Sequence, residues 1–173
     1  MNTLKAEKRS MDVKAKKLRR EGFVTGNLFG REIEGSIPLK FTKKEIEVLL
    51  KNNNKGSQVM LELDGKTYDA LIKEVDYNPL AHTVEEVDFQ ALVSNEMVHS
   101  TAEIILENEE KVMSGVLQDE LKEVAYKALP ADLVDKIKVD VAGMKIGDTL
   151  RVKDLEIAKN KNIHITTDLE AVI

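Results

Sequence analysis

Val59, Leu61 and Leu63 alternate along the chain and run directly into Asp64-Gly65, the strongest short hairpin signal in the sequence. Asp-Gly accepts the positive backbone angles that a two-residue reversal needs, so a strand entering it must turn back on itself. The return strand, Thr67 to Val75, places Tyr68, Ala70 and Ile72 on one face. Around this pair most segments also read as strand. Thr3 to Arg9 has a weak period of two through Leu4 and Ala6, Phe23 to Phe41 is β-like, and Val84 to Leu92 follows the Asn78-Pro79 loop. Lys14 to Glu21 forms a short basic helix or turn that Gly22 stops. One helix is well marked: Thr42-Lys-Lys-Glu45 is a capping box, followed by an apolar stripe of Ile46, Leu49 and Leu50 that fades through Asn52 to Asn54.

Polar Ser94-Asn95 marks a boundary, which predicts domains at 1–94 and 95–173. Beyond it nearly everything reads as strand: Ala102 to Leu106, Glu120 to Ala128, and Ile137 to Val141. Ile163 to Ile165 and Ala171 to Ile173 close the unit. Leu129-Pro-Ala-Asp132 and Lys145-Ile-Gly-Asp148 are turns. Halves of this size each bury a modest core, so the expected fold is two small β-rich domains.

Composition narrows the function. No cysteine is present among 173 residues, which removes disulfides, zinc–thiolate sites and cysteine nucleophiles. The longest run free of Asp, Glu, Lys and Arg is the nine residues Gly22 to Gly30, whereas a membrane helix needs roughly 18 or more. The first residues lack the apolar stretch of a secretion signal, so a cytoplasmic protein is expected. The formal charge of −5 hides an asymmetry. Residues 1–20 hold eight bases against two acids, a net of +6. Residues 21–94 hold eight bases and thirteen acids (−5), and residues 95–173 hold ten and sixteen (−6). A basic arm on an acidic body can meet phosphates while the remainder stays solvated; a solvated terminus gives the same pattern.

Little points to catalysis. His82, His99 and His164 are far apart and fit no metal-ligand spacing, and no carboxylate pair is singled out. The Gly26–Gly30 and Gly143–Gly147 spacings match no phosphate-binding fingerprint and are assigned to turns. No catalytic residue, metal or cofactor is expected. Nucleic acid has more support: Lys14, Lys16, Lys17, Arg19 and Arg20 put five bases in seven residues just before a loop containing Phe23 and Phe29. Guanidinium groups fork onto phosphates, and aromatic rings stack on bases.

Taken in order, several segments resemble the bacterial large-subunit ribosomal protein family that binds 5S ribosomal RNA, in its two-domain general stress protein Ctc form. The N-terminal carriers are Leu4-Lys-Ala-Glu-Lys-Arg9, Lys16-Lys-Leu-Arg-Arg-Glu-Gly22, Leu28-Phe29-Gly30, Val75-x-x-Asn78-Pro79 and Val87-Asp88-Phe89. The C-terminal carriers are Gly115-Val-Leu-Gln118, Ala128-Leu-Pro-Ala-Asp132, Val139-Asp-Val141, Ile146-Gly-Asp148 and Asp154-Leu155. The resemblance covers almost the whole chain. It implies an N-terminal six-stranded β-barrel with short helices that docks on 5S rRNA, and a second all-β domain. It also implies a non-enzymatic part of the large subunit, monomeric off the ribosome, with no membrane or small-molecule partner. Arg9, Lys14, Lys16, Lys17, Arg19 and Arg20 would face RNA. Phe29 stands where the family usually has Tyr, and Asp88 matches the Asp of a His-x-Asp-Phe element.

The chain departs from that family in a few places. Thr25-Gly-Asn-Leu-Phe-Gly30 replaces Pro-Ala-x-x-Tyr-Gly, Asp76 replaces Gln, and Glu86 replaces His. Ionised carboxylates accept hydrogen bonds but cannot donate them, and they repel phosphate. Two lost bonds plus repulsion would cost about 2–5 kcal/mol, roughly 30- to several-thousand-fold in affinity. A carboxylate can instead accept from a base amino group, which would alter specificity. Two functions follow: a 5S rRNA-binding ribosomal protein, or a diverged paralogue with weak or no docking that acts as a stress-linked protein-interaction module.

Overall fold

Short alternating strands leave backbone groups on their outer edges, and in the first unit those edges are removed by closure. A computed structural model describes residues 3–113 and 115–173, and the chain divides into two units between Ser94 and Asn95. In the first unit β1 (Thr3–Lys8) leads to a short helix α1 (Ala15–Arg20), then β2 (Phe23–Phe29) and β3 (Ser36–Thr42). Helix α2 (Lys43–Leu50) and strands β4 (Gln58–Leu63), β5 (Lys66–Asn78) and β6 (Thr83–Ala91) follow. The strands close into a barrel in the order β1-β3-β2-β6-β5-β4. The chain is therefore mainly β, with the expected six-stranded barrel and short helices.

The hairpin forms where Asp64-Gly65 places it. Asp64 has φ 51° and Gly65 φ 77°, and Leu63 pairs with Lys66 across the turn. Leu28, Leu39, Leu61, Ile72 and Val87 are fully buried inside the barrel, and the Phe41 and Phe89 rings meet tilted at 5.4 Å. Each such side chain stabilises the unit by about 1.5–3 kcal/mol. Helix α2 caps one end with Ile46 and Leu49. Its capping box is only half formed. The Thr42 hydroxyl accepts from the Glu45 N–H at 3.3 Å, but it also donates to the Glu45 carboxylate at 2.6 Å, so that carboxylate bonds the hydroxyl.

Two expectations are corrected here. Phe23 and Phe29 lie within β2 rather than in a loop. Gly26 is not a turn glycine but sits mid-strand, where a Cβ would lie 2.0 Å from the Val87 carbonyl oxygen. The absent side chain lets β2 approach β6, its parallel neighbour, with Thr25 opposite Glu86 and Leu28 opposite Phe89.

In the second unit, β7 (Val98–Glu107), β8 (Glu123–Ala128), β9 (Lys136–Asp140) and β10 (His164–Ile165) form a sheet ordered β10-β8-β7-β9. Only β7 and β9 run parallel. Strand β8 starts at Glu123, later than expected. The Leu129–Asp132 segment contains a single 3-10 turn at Pro130–Asp132. The second unit also contains a helix that alternation did not suggest, the one-turn α3 (Glu156–Lys159), which buries Ile157 beside Val152 and Leu155. The core of this unit centres on Ala102, Val124 and Tyr126, all fully buried.

Candidate nucleic-acid interface

Because β2 buries Val24, Gly26 and Leu28, its Thr25, Asn27 and Phe29 side chains take the opposite face. On β6 the same alternation turns Glu86 and Asp88 outward while Val87 and Phe89 enter the core. Strand β5 supplies Glu74 opposite Asp88 and Asp76 opposite Glu86, after an irregularity in its register. Helix α1 lies against β2 with Leu18 buried, and so brings Arg19 over this face.

Arg19 anchors the arrangement. Its Nε donates to the Glu85 carbonyl at 3.2 Å, and Nη2 donates to Thr25 Oγ1 at 3.4 Å and to Glu86 Oε2 at 3.5 Å. Nη1 lies 3.7 Å from the Glu85 carboxylate. The Thr25 hydroxyl donates in turn to the Glu85 carbonyl at 3.3 Å and is fully buried. Asn27 ties the two outward acids together. Its side-chain amide donates to Glu86 at 3.4 Å and to Asp88 at 3.1 Å, and its backbone N–H donates to Asp88 at 3.0 Å. Burial raises the Glu86 carboxyl above its ordinary value of 4.5, and the neighbouring Asp88 charge adds to this. Arg19 pulls the other way, Asp76 raises it further, and Arg9 lowers it slightly.

The charged residues selected from sequence divide into two groups, and Phe29 stands apart from both. Arg9, Arg19, Asp76, Glu86 and Asp88 share one electrostatic neighbourhood. Arg9 also donates from Nη2 to the Val13 carbonyl at 3.2 Å, which fixes the turn before α1. Lys14, Lys16, Lys17 and Arg20 stand exposed on or beside α1. Lys17 reaches Glu21 at 3.9 Å, a solvent-exposed pair of little energetic weight. Phe29 is half-buried two positions beyond Asn27, paired with Ser36 on one side and Gln90 on the other. Thr25, Asn27 and Glu85 were not singled out from sequence. Their signal was available as polar residues at alternate positions in an apolar strand, and as a carboxylate preceding Glu86.

Among the described residues no group of acidic or histidine side chains could hold a metal ion, and no helix is long and apolar enough to cross a membrane. Residues 4–89 match the profile of the ribosomal L25p family, and residues 97–173 match that of the ribosomal protein TL5 C-terminal domain. A relative from Akkermansia muciniphila, named large ribosomal subunit protein bL25, is 30% identical over 99% of this chain and 87% of its own length. The chain belongs to the ribosomal L25p family. Relatives of the same name from Carboxydothermus hydrogenoformans (32% identical, 96% of this chain, 87% of the relative) and Bacillus velezensis (30%, 100% and 86%) extend across both units. The L25p family is one of ribosomal proteins, and its members are not enzymes.

Proposed function

We propose that this protein is a component of the large ribosomal subunit that binds 5S rRNA through residues 1–94, with residues 95–173 forming the Ctc-type second domain. The observation that carries this reading is the pairing of a cationic helix, Lys14 to Arg20, with an outward polar sheet face within an L25p barrel. Exposed Lys14, Lys16 and Arg20 are suited to phosphate oxygens, and the Arg19, Asn27, Glu86 and Asp88 array is suited to the edges of bases. Such a protein works in the cytoplasm without a cofactor, and is a monomer when off the ribosome.

The test is the affinity of the full chain for 5S rRNA and for an unrelated structured RNA of equal length, over a salt series. Preference for 5S rRNA at physiological salt is expected. With about five phosphate contacts, the slope of log affinity against log salt should be roughly −4. Equal affinity for both RNAs would overturn the reading and favour the protein-interaction paralogue.

A further inference from the structure

Three positions at which the chain departs from the family pattern touch one another. Thr25 lies opposite Glu86 in the parallel β2–β6 pair, and Gly26 is the residue whose missing Cβ lets those strands approach. The departures therefore form one assembly, and Arg19 sits at its centre. Glu86 was expected to act as a repulsive acid that takes the place of a donor. Its geometry gives it a different role.

A guanidinium carries five N–H donors in a rigid plane. In Arg19 the Nε–H and both Nη2–H groups are engaged by the Glu85 carbonyl, Thr25 and Glu86, while Nη1 faces the Glu85 carboxylate. Nη1 makes no hydrogen bond among the described residues, and the side chain keeps 31% of its surface exposed. The group is held on three sides and open on the fourth. Fixing an arginine before its partner arrives removes the rotamer entropy that binding would otherwise cost.

We propose that Glu86 is a positioning residue: with Glu85 and Thr25 it braces the Arg19 guanidinium so that its free edge donates to an acceptor oxygen or nitrogen on the bound RNA. The inference rests on the 5S rRNA reading above. It reverses the sign expected from charge alone, because a carboxylate facing RNA ordinarily weakens binding.

The experiment compares the full chain with Glu86→Gln, Arg19→Ala and the double variant, each checked for an unchanged folded circular-dichroism spectrum at the assay temperature, in binding to 5S rRNA at physiological salt. Glu86→Gln should weaken binding about tenfold (~1.4 kcal/mol) although it removes a negative charge. In the Arg19→Ala background the same change should cause no further loss. Equal or tighter binding by Glu86→Gln, or the same loss in both backgrounds, would overturn the proposal. A second arm needs no RNA: the Arg19 Nη2–H signals, which the Glu86 carboxylate accepts, should be protected from exchange in the free chain, and the protection should fall in Glu86→Gln. An unprotected signal in the unmodified chain overturns the brace directly. Protection lost on substitution, combined with no preference for 5S rRNA, supports the brace and overturns the functional reading instead.

Discussion

Tyr126 and Val134 exchange two hydrogen bonds: the buried phenol donates to the Val134 carbonyl at 2.6 Å and accepts from the Val134 N–H at 2.7 Å. One side chain thereby satisfies both backbone groups of a residue in the segment that leads from β8 to β9. Tyr126→Phe keeps the ring and leaves both groups without that partner. The second unit should lose about 2–3 kcal/mol, read as an earlier urea transition of the full chain.

The same phenol makes the second unit sensitive to alkali. Burial holds its pKa above the ordinary 10.0, against the opposing effect of the Val134 bond. As pH rises beyond 10, the unfolded chain releases the proton first, so the folded state binds more protons and loses stability. Thermal scans between pH 9 and 11 should show this decline in the unmodified chain and a shallower one in Tyr126→Phe.

Gly26→Ala tests the close approach of β2 and β6. A methyl group there would meet the Val87 carbonyl oxygen at 2.0 Å, its carbon at 3.0 Å and the Phe41 ring at 3.3 Å. Backbone cannot rotate aside as a side chain can, so the strands must separate. The barrel should lose about 3 kcal/mol. The β2–β6 backbone ladder, followed by amide exchange, should open with it.

Glu86 couples the barrel to acid in the opposite sense from most carboxylates. Its folded value is raised by burial, so the folded state holds the proton more tightly than the unfolded chain. Stability from this group is present below the ordinary 4.5 and is lost as pH climbs through the raised value. Glu86→Gln should therefore stabilise the free protein at neutral pH, measured by thermal unfolding at pH 4 and pH 7, with the gain confined to the higher pH. Weaker RNA binding alongside higher stability is the signature of a group kept for function.

Lys14→Ala/Lys16→Ala addresses the helix. Both side chains are exposed. If they meet phosphates, the salt slope for 5S rRNA should fall by roughly 1 per residue. An unchanged slope would remove them from the RNA face.

The parts of this structure that were legible in the sequence are those set by neighbours along the chain. Asp64-Gly65 dictated its own reversal, and Thr42 started its own helix. The alternation of Val59, Leu61 and Leu63 assigned the inward face. What escaped depends on distant pairing. Gly26 looked like a turn residue because its constraint is Val87, which only closure brings near. Arg19 and Glu86 stand 67 residues apart, so their separate charges suggested a phosphate ligand and a repulsive acid rather than a contact. The single turn of α3 is too short for its period to show, and it exists because Ile157 has a core to enter.

Barrel closure also sets an order in time. Thr25 must wait for Glu86, and Leu4 for Leu61, because both of these pairings are parallel and bridge distant stretches of chain. At a synthesis rate of roughly 5–20 residues per second, the interval between Thr25 and Glu86 lasts about 3–12 s. Throughout that interval the cations of Lys14 to Arg20 have been made while Glu85 and Glu86 have not. The charge that the finished protein balances is unbalanced first, on a chain emerging from a particle built largely of RNA.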